Sequence, residues 1–241
     1  MFASRHVTTL TSAERIVEEL VKLFPDTSSV VDVGCGVGTF LSVFKNKKIK
    51  QVLGLDGPWV DPKLLQISSN EFQELDLENP TQLNRKFDMA ICFEVAEHIS
   101  AAKANNFVAY LCELSDVVIF SAAIPSQGGN GHINEQWQTY WVEIFETFGM
   151  QTYDLIRPRI WDDDSVLFWY RQNTLIFTRK KLSQELIPAT QNINVVHPLC
   201  YESKIPQKNS YLKNLLLALI PNIRTIEVIR KVLKSARFLK N

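Results

Sequence analysis

The segment VVDVGCGVGTF (Val30–Phe40) constrains what this 241-residue chain can fold into more than any other stretch. A short β-branched run ended by glycine is too brief for a helix and reads as a buried strand. Gly34, Gly36 and Gly38 then fall at its carboxyl end, and residues 38–47 read as the following helix. Glycine there lets backbone approach a bound group that a β-carbon would exclude, and the helix adds its positive N-terminus. In an open α/β sheet this is also the crevice where ligands bind. The spacing is G-x-G-x-G, with Thr39 where the dinucleotide fingerprint needs glycine, which counts against a nicotinamide oxidoreductase.

The rest of the chain extends the same pattern. Residues 11–24 place Ile16, Leu20 and Leu23 at helical spacing, with Thr11 and Glu14 as a capping box and Pro25 as the stop. Strands are expected at Gln51–Asp56, Glu71–Leu77, Lys86–Glu94 and Asp116–Ala123, with helices over 101–114 and 134–149. QTYDLIR (151–157) and VLFWYRQNTLIFTRK (166–180) read as two strands with no helix between, hence an antiparallel edge on a doubly wound, mostly parallel sheet. The expected organisation is a domain over 1–182, a linker or wrapping arm over 183–209, and a helical tail over 210–241.

Composition narrows the class. A hydrophobic fraction of 46% excludes wholesale disorder, and the balance of 26 basic against 26 acidic residues argues against a dedicated nucleic-acid binder. The balance hides an asymmetry: Lys213, Arg224, Arg230, Lys231, Lys234, Arg237 and Lys240 against Glu227 give the last 31 residues +6, leaving −6 for the rest. Such a basic amphipathic tail points to a partner of its own: the same chain, a second copy in a homodimer, another protein, or a peripheral membrane surface. The longest apolar run, Leu215–Pro221, is far short of the roughly 20 residues of a membrane span. Cys35, Cys92, Cys112 and Cys200 show no CxxC spacing and read as buried thiols of a cytoplasmic protein.

Two acids stand at strand ends matching the glycine loop. Asp56 ends the second strand, where a carboxylate can accept from both hydroxyls of an adenosine ribose. Asp76 ends the third, within reach of an adenine amino group. Asp32, inside the first motif, can orient the loop or bond an ammonium group. Three acids in register with one glycine loop outweigh the turn-forming reading that any one of them invites alone.

VVDVGCGVGTF, the acid of GLDG, the acid of LDLENP and FDMAICFEVAEHI resemble the successive motifs of class I S-adenosylmethionine-dependent methyltransferases, over about residues 10–180. The resemblance implies a Rossmann-like seven-stranded sheet of order 3-2-1-4-5-7-6. It implies that Asp32, Gly34, Cys35, Gly36 and Gly38 line the methionine part of the cofactor, that Asp56 and Gly57 meet the ribose, and that Asp76 and Leu77 meet the adenine. Phe93 and Glu94 would face its centre.

Methyl transfer from a sulfonium is an in-line displacement, so alignment matters most, and positioning can lower a barrier by roughly 7–11 kcal/mol. A hydroxyl acceptor also needs a base, worth about 10²–10⁴-fold. His132, in the loop GGNGHINEQW after strand five, is the candidate base, with Asn134 and Glu135 to orient it or bind substrate; Asn134 equally reads as a helix cap. The run Glu94-Val95-Ala96-Glu97-His98 with His132 resembles the metal-ligand set of some O-methyltransferases, including those of quinone biosynthesis and small-RNA 3′ ends. Helix-start packing reads the same residues without an ion, and no metal is assigned. Trp137, Tyr140, Trp141, Trp161, Trp169 and Tyr170 read first as core, second as a wall for a sugar or ring acceptor. IPSQGGNGHINEQWQTYW with RPRIWDDDSVLFWYRQN resembles a bacterial methyltransferase subgroup that accompanies polysaccharide or secondary-metabolite biosynthesis. The expectation is an O-methyltransferase for a small-molecule hydroxyl. The alternatives are methylation of a carboxylate or nitrogen, and a catalytically silent cofactor-binding partner protein.

Overall fold

The computed structural model describes residues 2–182 and 193–205. Seven strands are present: β1 (Ser29–Val33), β2 (Gln51–Asp56), β3 (Phe72–Glu74), β4 (Met89–Phe93), β5 (Val117–Ser121), β6 (Gln151–Tyr153) and β7 (Leu175–Thr178). They form one sheet of order β3-β2-β1-β4-β5-β7-β6, the order implied by the sequence motifs. The first five pair in parallel, and β7 runs antiparallel to both β5 and β6. Every residue of β1, β4, β5 and β7 is buried, as a sheet covered on both faces requires.

Alternation within each strand divides the core in two. Val31, Val33, Leu55, Ala90 and Cys92 face α3 (Ala104–Leu114) and α4 (Gln138–Thr147). Val30, Met89, Ile91, Phe93 and Ile119 face α1 (Phe2–Leu23), α2 (Thr39–Asn46), α5 (Arg157–Ile160) and α6 (Phe168–Asn173). The four cysteines are buried, and Cys35, Cys92 and Cys112 are free thiols.

Four local expectations are corrected. α1 begins near Phe2, so Thr11 and Glu14 lie inside the helix and do not cap it. Ser12 is buried there and its hydroxyl accepts from the Leu167 amide, so contact with the body carries the helix through the supposed cap. β3 is three residues long, which leaves Asp76 in the turn beyond it. The 134–149 helix starts at Gln138 behind an extended Trp137, so Asn134 is no cap; its amide donates to the Glu97 carbonyl at 3.0 Å. The expected 166–180 strand is a helix, α6, followed by β7, and α5 also intervenes between β6 and β7. Aromatic enrichment over 166–170 mimics a strand, but Arg171, held by the Trp161 carbonyl and Asp164, fixes one helical turn.

The chain divides into two compact units, Met1–Cys200 and Tyr201–Asn241. Residues 193–200, expected in the linker or arm, therefore belong to the first. They include the start of α7 (Pro198–Lys204). The basic tail over 210–241 lies outside the described residues. Among the described residues, no helix is long and apolar enough to cross a membrane.

Candidate active site

The carboxyl ends of β1, β2 and β4 meet at the glycine loop. Gly34 has φ +84°, and a β-carbon on it would stand 2.2 Å from Val95 Cγ2, so both backbone shape and the segment after β4 demand glycine. Gly34 and Cys35 donate their amides to the Leu55 carbonyl at 2.7 and 3.2 Å, tying the loop to β2. Gly38, also left-handed, precedes α2, and Cys35 is buried behind the loop with its Sγ on the Gly36 carbonyl. Burial raises the Cys35 thiol well above its ordinary range, with Asp32 and Asp56 adding to the push, so it is a packing thiol and not a nucleophile.

Asp56 closes the loop from the β2 side. One carboxylate oxygen accepts from the Gly36 amide and the other from the Gly57 amide, both at 2.7 Å. Burial raises its carboxyl, against the pull of those two amides and of the Trp59 indole. Asp32 pairs with Gly54 and Ile91 in the sheet centre and is 3% exposed. Burial pushes it well above the carboxylate range, and Asp56 pushes in the same direction. Asp76 is exposed, its oxygens accepting from the Glu78 amide and the Asn79 side chain, while Leu77 is buried.

The other side of the crevice is made of side chains. Phe93 packs at a tilt on Phe40, ring centroids 4.4 Å apart, and meets Tyr170 edge-on at 5.7 Å. Glu94, just past β4, has φ +54°, a costly conformation for a residue with a β-carbon. Its oxygens accept from Gln127 Nε2 at 2.8 Å and Asn173 Nδ2 at 3.1 Å. Gln127 Oε1 in turn accepts from Gln172 and Asn173, both at 2.9 Å, and the His197 amide donates to Gln172 Oε1 at 2.8 Å. This amide cluster was not foreseen. Gln127, Gln172, Asn173 and His197 carry no spacing signal, and the loop after β5, α6 and the 193–197 segment bring them together.

His132 lies in the loop after β5, its side chain 13% exposed. Its Nδ1 is 2.8 Å from Glu135 Oε1, and Glu135 also accepts the amides of Ser126 and Gly128, so one carboxylate folds the glycine-rich loop and sets the ring. Burial opposes ionisation of Glu135, but those three donors hold its carboxyl below the ordinary range. An acceptor-only partner places a proton on Nδ1. Nε2 stands 3.8 Å from Glu97 Oε1. Glu97 is fully buried and neither of its oxygens makes a hydrogen bond. Burial raises its carboxyl well above the usual range, and Glu94 adds to the push. The His98 ring meets the His132 ring edge-on at 4.9 Å, with its Nδ1 3.0 Å from the Gly131 carbonyl. Glu97, His98 and His132 each offer one ligand atom, all within 4.8 Å of one another. Glu94, by contrast, is already held by amides.

Of the aromatics, Trp141 is core beside Phe120, and Tyr170 is buried against Phe40 and Phe93. Trp137 is half-exposed, consistent with neither a pure core role nor an enclosed wall.

Residues 5–111 match the family model of a methyltransferase domain. No curated protein matches the chain. Among solved structures, DesVI of Streptomyces venezuelae superposes with a TM-score of 0.56 at 15% identity, covering 72% of this chain and 93% of its own. The sugar N-methyltransferase KedS8 from Streptoalloteichus sp. ATCC 53650 gives 0.55 at 13% identity, over 71% and 87%. The methyltransferase domain of bacterial CtHen1-CN gives 0.51 at 21% identity, over 69% and 97%. These likenesses establish the fold. The family model adds that residues 5–111 are similar to a methyltransferase domain.

Proposed function

We propose that the protein transfers a methyl group from S-adenosylmethionine to a hydroxyl of a small molecule, a saccharide or secondary metabolite, with His132 receiving the proton. What supports this reading is His132 itself, in the loop after β5, with its Nδ1 2.8 Å from Glu135 Oε1 and its Nε2 3.8 Å from Glu97 Oε1.

The residues fit the cofactor. Asp56, already anchored by the Gly36 and Gly57 amides, keeps acceptor capacity on its carboxylate for a ribose hydroxyl. Gly34 and Gly38 let the loop pack against Val95 and Ile67, and Gly36, with open space where a β-carbon would stand, leaves room near the positive end of α2 for the methionine part, with Asp32 close by. Cys35 packs behind the loop, and Asp76 and Leu77 border the adenine. Bound there, the cofactor supplies an electrophilic methyl on a sulfonium. Phe93 and Glu94 fix the direction of approach, and His132 Nε2 takes the acceptor's proton as the bond to carbon forms. Labelled-methyl incorporation into a panel of glycosides, phenols, carboxylates and amines tests this. Exclusive labelling of carboxylates or amines would remove the hydroxyl assignment, and no labelling of anything despite tight cofactor binding would favour the silent partner.

A second reading is favoured by the unpartnered oxygens of Glu97. A carboxylate that is fully buried, without a hydrogen bond and beside two imidazoles fits a divalent cation, with Glu97, His98 and His132 as ligands. Such an ion would lower the pKa of the acceptor hydroxyl, and His132 would then hold metal instead of a proton. Activity that survives thorough chelation ends this reading.

A further inference from the structure

Glu94 is the end of a hydrogen-bond relay that starts outside the crevice. The relay begins at His197, whose main-chain N–H donates to Gln172 Oε1 at 2.8 Å. Gln172 Nε2 donates onward to Gln127 Oε1 at 2.9 Å and to Asn173 Oδ1 at 3.0 Å. Gln127 Nε2 and Asn173 Nδ2 then donate to the two Glu94 oxygens. All three side-chain amides are buried. Such an amide has a donor end and an acceptor end and fits either way round, whereas a main-chain N–H has one direction only. Fixed at His197, that direction passes through Gln172 and aims the donors of the cluster at Glu94. A carboxyl that faces an N–H on each oxygen is favoured as the anion and in one orientation. Burial raises the Glu94 carboxyl, and these donors pull it back.

The start of the relay is itself pinned. His197 Nδ1 accepts from the Leu199 amide at 3.2 Å, which leaves Nε2 to donate to the Trp161 carbonyl at 3.1 Å. The Gln172 carbonyl accepts from Arg157 Nη1 at 3.3 Å, the same nitrogen that donates to the Ile193 carbonyl.

We infer that Gln172 and His197 are positioning residues that act through Glu94: they hold its carboxylate as a fixed negative charge in the crevice, and that charge favours the cationic sulfonium over the neutral thioether left after transfer. This rests on the cofactor reading proposed above. By this route residues 193–199, outside the strand and helix pattern of the sheet, set the charge that meets the cofactor.

The test titrates the full chain calorimetrically with S-adenosylmethionine and with S-adenosylhomocysteine, without an acceptor. Glu94→Gln should lower affinity for the first relative to the second by about tenfold, the scale of one lost charge–charge contact. Gln172→Met should lower the same ratio by about threefold and add nothing in the Glu94→Gln background, because a residue that acts through Glu94 has no effect once the charge is gone. His197→Ala, which removes the pinned ring and spares the side chains of the crevice, runs the same cycle should Gln172→Met fail to fold. An unchanged ratio in Glu94→Gln or in the relay variant, or losses that add in the double variant, overturns the inference and leaves the cofactor reading standing. Heat from neither ligand with the wild type overturns both.

Discussion

Asp56 and Glu97 are both buried carboxylates just past a strand end, yet the fold treats them in opposite ways. Asp56 has a backbone amide on each oxygen, donated by residues adjacent to it in the loop and turn. Neither oxygen of Glu97 makes a well-formed hydrogen bond; the nearby amides of Glu97 itself and Ala123 pull its carboxyl down only weakly against burial, and its other neighbours are two imidazoles and the carboxylates of Glu94 and Glu135. The contrast extends to whole regions. The β1–β2 side is built largely from backbone and glycine, with Asp56 held by two amides. The β4–β5–β7 side is built from side chains converging from positions 94, 97, 127, 132, 172 and 173, with one carboxylate unpaired. A satisfied region is suited to holding an invariant group, and an unsatisfied one to chemistry or to a ligand that completes it.

The largest expected effects fall on the side-chain region. His132→Ala should depress turnover by about 10²–10⁴-fold while leaving S-adenosylhomocysteine affinity unchanged, measured by labelled-methyl transfer and calorimetry. Full activity would leave His132 outside the chemistry. Glu97→Gln sharpens the choice between base and metal: if an ion is held, the variant should lose calorimetric Mn²⁺ binding and activity together. If wild type shows no Mn²⁺ binding, Glu97 is a structural acid.

Effects on the backbone-built region should be smaller and confined to binding. Asp56→Ala should weaken S-adenosylhomocysteine by about 10–100-fold, the scale of losing hydrogen bonds to a charged acceptor. An unchanged titration would remove the ribose assignment. Asp32→Asn should raise the melting temperature near neutral pH by about 2–4 °C for each kcal/mol of relieved penalty. The sign follows from linkage. The folded carboxyl is raised above its unfolded value, so its contribution is fully present below the unfolded pKa and lost as pH rises through the folded one. The advantage of Asp32→Asn should therefore shrink as pH falls toward the ordinary carboxylate range, and melting curves across pH would show it. A gap independent of pH would mean that the fold leaves the Asp32 pKa unshifted.

The same contrast governs what could be read from sequence. Strand, glycine loop and following acid are local, each within about twenty residues, so β1, β2, α2, Asp56 and the sheet order were legible. Asp76 was legible as an acid near a strand end, but β3 stops at Glu74, because a short edge strand leaves little periodicity to bound. The cluster of Gln127, Gln172 and Asn173 was not legible. Its members are amides of ordinary type far apart in sequence, and Gln172 and Asn173 sit in a stretch whose aromatics imitate a strand. Asn134 had the right residue type for a cap in the wrong place, since Trp137 occupies the position before α4.

The docking of residues 193–197 has a practical consequence. Arg157, 2% exposed, donates to the Ile193 carbonyl at 2.9 Å, and Gln138 donates to the Val195 carbonyl at 3.0 Å. A recombinant fragment cut at residue 182, where the strand pattern ends, would strip acceptors from a guanidinium and an amide that water could reach only by prising the domain apart. Crystallisation or screening trials aimed at the catalytic half alone should therefore extend to about residue 200.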